Sequence, residues 1–484
     1  MQRREFLRTL GTGALAGCAG LTFSRRCRAA RKPNILFAIA DDQSWCHTGA
    51  MGDPVVKTPT FDRIAREGAL FTHAYCSAPS CTPSRGAILT GQDFWRLEEG
   101  ACLWSTLPAK FAVYPEMLSD AGYHVGQTRK GWGPGRIEPG GRTQNPAGAR
   151  YKGFAQFLDA APGDKPFCFW FGSFDPHRPY EPGSGRQSGM DPNQVVVPPF
   201  LPDVPEVRND ILDYFFEIER FDREVGELLD VLEERGLLDN TLVVMTSDNG
   251  MPFPRAKTNL YDYGVRMPLA IRWPTVVKGG QTIEDFVSFA DYAPTFLEAA
   301  GLKPPAEMTG RSLMKVLTSD KQGWVDPQRD KVFFGRERHT SLRAGGVGYP
   351  CRAIRTKDHL YIRNFARDRW PAGDPDVYGD IDGNSPTKTY LLDHREREDV
   401  RPLFELATSK RPAEELYDVK KDPAQMHNVA QRPEYAGVRE KLRAALDTHL
   451  TATGDPRLVG GAEAFDQYPY YGSRPKWAGA RSKG

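Results

Sequence analysis

Apolar and polar positions fall into blocks along the chain, and the block lengths give the elements. NILFAIA (34–40) is an unbroken apolar run ending in Asp41-Asp42, and it predicts a strand buried on both faces. TPTFDRIAREGALF predicts a helix with Pro59 near its start, followed by strand-like LFTHAYC. YPEMLSDAGYHVGQT reads as helix, glycine, strand, and KPFCFWFGSFDPH as a strand ending in Asp175-Pro176-His177. From Asp210 to Arg235 the apolar positions 211, 212, 215, 218, 221, 225, 228, 229 and 232 recur at helical spacing, an amphipathic helix of about seven turns. NTLVVMTSDNG is another buried strand, MPLAIRWP one more, and DYAPTFLEAAG a helix. Strands alternating with helices predict a large, mostly parallel sheet flanked by helices. After about residue 330 the blocks shorten and charges multiply up to a final helix at 434–450, which predicts a smaller C-terminal α+β domain. The expected division is 1–30 leader, 31–330 main domain, 331–455 smaller α+β domain and 456–484 tail.

The polar clusters sit where these strands end: Asp41-Asp42, Asp175-Pro176-His177 and Asp248-Asn249. In open α/β sheets ligands bind at the carboxyl ends of strands, so clusters more than 200 residues apart can meet on one edge. An aspartate at a strand end is by itself an ordinary turn or cap residue. Three such clusters together with the segment SCTPSRGAILTGQ shift the balance toward a site. Asp41, Asp42, Asp248 and the Asn249 amide are hard oxygen donors, suited to calcium or magnesium rather than zinc. An anionic substrate beside them needs cations, for which Arg85, Lys130 and Lys257 are candidates, with His177 as a hydrogen-bond or proton donor. Cys81 beside Arg85 can be a nucleophile, a core cysteine or a target of modification.

Composition changes this picture little. Forty per cent apolar and 26% charged residues are ordinary globular usage, and a net charge of +2 gives no support to nucleic-acid binding. The eight cysteines show no CxxC pairing; Cys168 sits in an apolar run, Cys76 and Cys81 are not paired, and Cys18 and Cys27 fall in the leader. That leader carries Arg3-Arg4, then a short apolar run to Phe23, which falls short of the roughly 20 residues a membrane span needs. It fits a twin-arginine export signal, which implies the twin-arginine export machinery as a partner and a periplasmic or cell-surface location. Leu15-Ala16-Gly17-Cys18 resembles a lipobox, giving a candidate lipid anchor through Cys18; cleavage near Arg28-Ala29-Ala30 is the competing reading.

CTPSRGAILTGQ resembles the sulfatase signature, C-x-P-x-R followed by a leucine-threonine-glycine helix. ADD, DPHRPY, SDNG and the closing ELYDVKKDPAQMHNVA match sulfatase patterns in the same order, and together they cover nearly the whole mature chain. SDNGMPFPRAKTNLY, VVPPFLPDVPEVRNDI, MTGRSL and YPCRAIR resemble the heparan N-sulfatase (sulfamidase) branch. The resemblance implies an alkaline-phosphatase-like sandwich with an antiparallel sheet in the smaller domain. It implies one calcium ion held by Asp41, Asp42, Asp248, Asn249 and residue 81. It implies that a maturase oxidises Cys81 to formylglycine (3-oxoalanine), whose hydrated form attacks sulfur. Arg85 would fix that residue, and Lys130, His177 and Lys257 would neutralise the sulfate.

One motif departs from the family. The lysine motif Gly-Lys-x-His reads TRKGWGPG, which puts Trp132 in the place of the histidine if Lys130 is aligned, or Arg129 in the place of the lysine if the Gly-Pro is aligned. Trp132 can stack on a sugar, and Gln43, His47, Arg178, Tyr180, His339 and Arg352 are further candidates for substrate contact. The leading expectation is a calcium-dependent sulfohydrolase for sulfated sugars, with N-sulfoglucosamine as the candidate substrate. The alternatives are a phosphomonoester or phosphonate hydrolase of the same fold, and an inactive surface protein that binds sulfated glycans.

Overall fold

The computed structural model describes residues 32–473, so the leader, with Arg3-Arg4, Cys18 and Cys27, lies outside the described residues. Among the described residues, thirteen strands form two sheets. They are β1 (Asn34–Ala40), β2 (Ala69–Tyr75), β3 (His124–Arg129), β4 (Ala149–Arg150), β5 (Phe167–Gly172), β6 (Thr241–Ser247), β7 (Arg266–Arg272), β8 (Gln281–Ile283), β9 (Val287–Ser288), β10 (Lys331–Arg336), β11 (Cys351–Thr356), β12 (His359–Asn364) and β13 (Glu414–Asp418). The large sheet runs β4-β3-β5-β1-β6-β7-β2-β8, with β9 also on β2. It is parallel except for β7, which runs antiparallel to both β6 and β2. The small sheet, β10-β11-β12-β13, is antiparallel throughout.

Strand β1 sits at the centre, between β5 and β6, and every residue in it is buried. Its side chains alternate between two cores, as strand geometry requires. Ile35, Phe37 and Ile39 face one core, and Leu36, Ala38 and Ala40 the other. The helices that matter are α1 (Pro59–Glu67), α2 (Cys81–Thr90), α3 (Tyr114–Asp120), α4 (Phe154–Asp159), α5 (Pro205–Glu234), α6 (Tyr292–Ala299) and α7 (Ala436–Ala452). α2, α3 and α6 cover the first face, and α1, α4 and α5 the second. The long helix begins earlier than its apolar periodicity, because Pro205 occupies its first turn, where no amide donor is needed.

Residues 32–473 belong to one compact unit that holds both sheets. α7 packs on β11 and β12 through Leu442, Leu446 and Leu450. The chain beyond it forms short helices at Pro456–Val459 and Ala464–Gln467, with Phe465 buried. Among the described residues, no helix is long and apolar enough to cross a membrane.

Candidate active site

Four strands of the large sheet end at the same edge and deliver the polar clusters there. Asp41 and Asp42 follow β1, Asp248 and Asn249 follow β6, His177 lies a few residues beyond β5, and Lys130 follows β3. Gly172 makes this convergence possible. A Cβ on it would stand 1.7 Å from the Lys130 carbonyl oxygen, so only glycine lets the ends of β3 and β5 approach this closely. Asp42 takes a left-handed backbone (φ 77°), a conformation that aspartate tolerates better than most residues.

Helix α2 points its first turn into the group. All ten of its residues are buried, and Ser84 Oγ donates to the Asp248 carbonyl at 2.6 Å. Cys81 opens the helix, with Sγ 3.3 Å from Asp41 Oδ1. Ligand atoms of Asp41, Asp42, Cys81 and Asp248 all lie within 4.8 Å of one another.

Each carboxylate of the group has its own cation. Lys130 Nζ bonds Asp41, Lys257 Nζ bonds Asp42 at 2.5 Å, and Arg85 Nε bonds Asp248 at 2.7 Å. Arg85 is fully buried; its Nη1 donates to the carbonyls of Lys130 (2.8 Å) and Gly131 (3.0 Å), and its Nη2 has no partner. His177 Nδ1 lies 2.6 Å from the Arg178 carbonyl, which fixes the proton on Nδ1 and turns Nε2 toward Lys257 at 3.3 Å.

The electrostatics follow from burial. Burial pushes the Asp41 carboxyl up, but the ammonium of Lys130, with His177 and Arg85, outweighs it and holds the group well below its usual range. Burial raises Asp42 to about 6 against the pull of Lys257, with Asp41 and Asp248 adding to the rise. Burial and the carboxylates of Asp248 and Asp41 push the Cys81 thiol well above its ordinary value. An arginine next in line therefore does not make Cys81 a thiolate: Arg85 spends its charge on Asp248.

The donor set fits a hard divalent cation. The Asn249 amide donates to Asp42 Oδ1 (2.6 Å) and Asp248 Oδ1 (2.7 Å), which leaves its own Oδ1 buried without a partner. An orphaned amide oxygen beside three carboxylates is the arrangement that calcium or magnesium satisfies.

A cleft of about 1060 Å³ opens above this group, with Asp41, Lys130 and His177 on its floor and Trp104, Trp132 and Phe174 on its walls. Trp132 is buried in the wall, with its indole nitrogen unpartnered.

The remaining sequence candidates are placed elsewhere or already committed. Gln43 is buried and donates to the His47 carbonyl (3.0 Å), and His47 is buried against Tyr214 and Phe215. Arg178 borders the cleft, but its guanidinium is locked bidentate on Asp210 (2.7 and 2.8 Å). Tyr180 donates to the Pro176 carbonyl at 2.9 Å. His339 is buried, with Nδ1 2.8 Å from Ser80 Oγ; it touches the residue before Cys81 rather than the cleft. Arg352 is sealed under the small sheet between Asp455 (2.5 Å) and Glu337 (2.8 Å), which corrects its expected place at the pocket. A charge with two buried carboxylate partners is structural.

Sequence reasoning missed two features. Asp382 approaches Lys257 at 3.2 Å from the loop after the small sheet's hairpin, and no strand or motif marks it. Arg220, on α5, bonds Asp175 bidentate (2.6 Å each) and also Glu217, forming one wall of the cleft. The i,i+3 spacing of Glu217 and Arg220 was the available signal.

Comparison with known proteins adds to this geometry. A sulfatase family model matches residues 33–135 and 147–302. A second model, the C-terminal part of N-sulphoglucosamine sulphohydrolase, matches residues 255–374. The chain is 30% identical to the N-sulphoglucosamine sulphohydrolase of Homo sapiens, over 91% of this chain and 94% of that protein. It is 27% identical to an ulvan-active sulfatase of Formosa agariphila, over 90% of this chain and 78% of that protein. A solved structure of a protein in complex with its substrate D-glucosamine-2-N,6-O-disulfate shares the fold, with a TM-score of 0.63 and 22% identity over 88% of this chain and 99% of that one.

Proposed function

The chain belongs to the sulfatase family and is an enzyme of that class; we propose that it cleaves the sulfamate or a sulfate ester of an N-sulfoglucosamine-type sugar, using calcium and a formylglycine made from Cys81. The observation that carries this reading is the position of Cys81: at the start of α2, 3.3 Å from Asp41, inside a group of oxygen donors ringed by three cations. Three carboxylates against three basic side chains leave the group neutral, so a divalent cation there makes it cationic and complementary to a sulfate.

Asp41, Asp42, Asp248, Asn249 and residue 81 would hold calcium, which would polarise a sulfate oxygen, while formylglycine would supply a hydrated aldehyde as nucleophile. Arg85, with an unpartnered Nη2 and three bonds that prevent its movement, orients residue 81. Lys130 and Lys257 face the sulfate oxygens as charge builds on them. His177 Nε2, left as the lone-pair nitrogen because Nδ1 donates to the Arg178 carbonyl, can take up a proton and then pass it to the leaving atom. Trp132, standing where the family motif has histidine, offers an apolar wall instead of a second imidazole.

The sulfamate preference rests on the named human relative and on the match of residues 255–374, which take in Lys257. The leader supports export by the twin-arginine route to the periplasm or cell surface, with Cys18 a candidate lipid anchor and a formylglycine-generating maturase acting beforehand.

Mass spectrometry of the peptide around residue 81, together with sulfate release from N-sulfoglucosamine, glucosamine 6-sulfate and aryl sulfate, tests the reading. The aldehyde should be present, and Cys81→Ala should abolish release. Turnover by Cys81→Ala overturns the aldehyde mechanism, and preference for the 6-sulfate overturns the sulfamate assignment alone.

A further inference from the structure

We propose that Cys46 is an activated thiol, a site of covalent modification by small electrophiles and peroxides, created by a Cys46–His47–Asp53 relay outside the catalytic group. The relay is set out in space in the order that activation requires. Cys46 Sγ lies 3.4 Å from His47 Nε2, and His47 Nδ1 lies 3.1 Å from Asp53 Oδ2. The other Asp53 oxygen accepts from the amides of Val55 (2.9 Å) and Val56 (3.0 Å), so the carboxylate cannot turn away. The carboxylate keeps the proton on Nδ1 and presents the Nε2 lone pair to the thiol, the geometry that converts a thiol into a thiolate beside an imidazolium.

The surroundings hold that geometry. The imidazole is buried edge-on against Tyr214, ring centroids 5.4 Å apart, and tilted against Phe215 at 5.0 Å. Burial opposes a charge on His47, but Cys46 and Asp53 outweigh it and favour the imidazolium once Nε2 has taken up a proton. The other titratable groups facing the thiol are the phenols of Tyr214 and Tyr263; burial pushes both up, so they stay neutral and do not compete for the proton. On the adjoining Trp45, Arg266 stacks 4.9 Å from the ring centroid, with its Nε bonded to the Thr72 carbonyl.

Exposure singles out the same residue. Cys46 is half-buried, whereas Cys76, Cys81, Cys102, Cys168 and Cys351 are buried. Burial pushes the thiols of all five above their ordinary value. Cys46 is thus the one thiol among the described residues that belongs to a residue not fully buried and has an imidazole within reach.

The chemistry balances in both reactions. With iodoacetamide, an S–C bond forms, the C–I bond breaks, iodide leaves and the thiol proton rests on His47 Nε2. With hydrogen peroxide, an S–O bond forms and the O–O bond breaks. Sulfur loses two electrons to the peroxide, and the departing hydroxide takes the His47 proton to become water, leaving a sulfenic acid.

The test is iodoacetamide labelling of the native full chain, read peptide by peptide by mass spectrometry across pH. Cys46 should label at about pH 6.5 while the five buried thiols do not. His47→Asn should slow labelling at that pH by roughly tenfold or more, and Asp53→Asn by a smaller factor. Both variants should recover the wild-type rate at about pH 9.5, where any exposed thiol is ionised, which separates loss of activation from loss of fold. Wild-type labelling of Cys46 at about pH 6.5 that is no faster than that of the buried thiols, or that His47→Asn leaves unchanged, overturns the proposal.

Discussion

A single methyl group at Gly172 should disable the site without replacing any polar side chain. The Cβ of an alanine there would lie 1.7 Å from the Lys130 carbonyl oxygen and 2.6 Å from its carbon. Restoring an ordinary C···O separation of about 3.3 Å requires a shift of about 1.6 Å. The Lys130 carbonyl accepts from Arg85 Nη1 at 2.8 Å and from the Trp170 indole at 3.1 Å, and the Lys130 amide donates to Gly172 at 3.0 Å. A shift of that size breaks the charge-assisted bond and at least one neutral one, a loss of roughly 3 kcal/mol. It also carries Lys130 Nζ away from Asp41, and misplacement by about 1 Å can lower turnover roughly 100-fold. Gly153→Ala is the control: an extended residue with nothing within 4 Å of its would-be Cβ, where alanine should cost less than about 1 kcal/mol. Melting temperature and sulfate release are measured on both variants. A Gly172→Ala protein that melts with the wild type and keeps its turnover refutes the claim that this close approach positions Lys130.

Three further outcomes are expected. Asp382→Asn removes one of the two carboxylates on Lys257 and should lower kcat/KM about tenfold with little change in melting temperature, since Asp382 is 39% exposed; an unchanged kcat/KM would show Lys257 to be positioned by Asp42 alone. Calcium at about 100 times its Kd should raise stability by about 2.7 kcal/mol, EGTA should reverse it, and Asn249→Ala should shrink the calcium-dependent melting shift; a melt insensitive to EGTA contradicts the assigned ligands. Burial depresses the His73 and His339 imidazoles from 6.5 to about 3, with Arg266 and Arg355 adding to the effect at His73. The unfolded chain then binds more protons than the folded one between about pH 6.5 and 3, so stability should fall as pH drops through that window. His339→Gln should flatten the acid limb of the melting-temperature profile, and an equally steep limb would remove His339 from its cause.

Much of the site was legible because its residues follow strands. A buried parallel strand must end at the sheet edge, so runs such as NILFAIA and TLVVMTS announce where Asp41, Asp42, Asp248 and Asn249 emerge. The start of α2 was legible for a similar reason: Pro83 suits the first turn of a helix, and Cys81 falls at its opening. Asp382 had no such signal. It lies in a loop of no fixed period, and it meets Lys257 only because the chain returns from the small sheet to the cleft.

The sequence by itself determined six strands of the large sheet, the main helices and the identity of the oxygen donors, because periodicity and residue chemistry are local properties. The tertiary structure alone decided which charges are free. Arg352 and Arg178 look like anion binders in a linear reading, yet both are neutralised by carboxylates more than 30 residues away, at Asp455 and Asp210. His47 looks like a pocket residue, yet Asp53 and Cys46 make it the centre of a separate relay. A charged group's role depends on its partner and on the dielectric around it, and both are set by contacts between segments that no local pattern specifies.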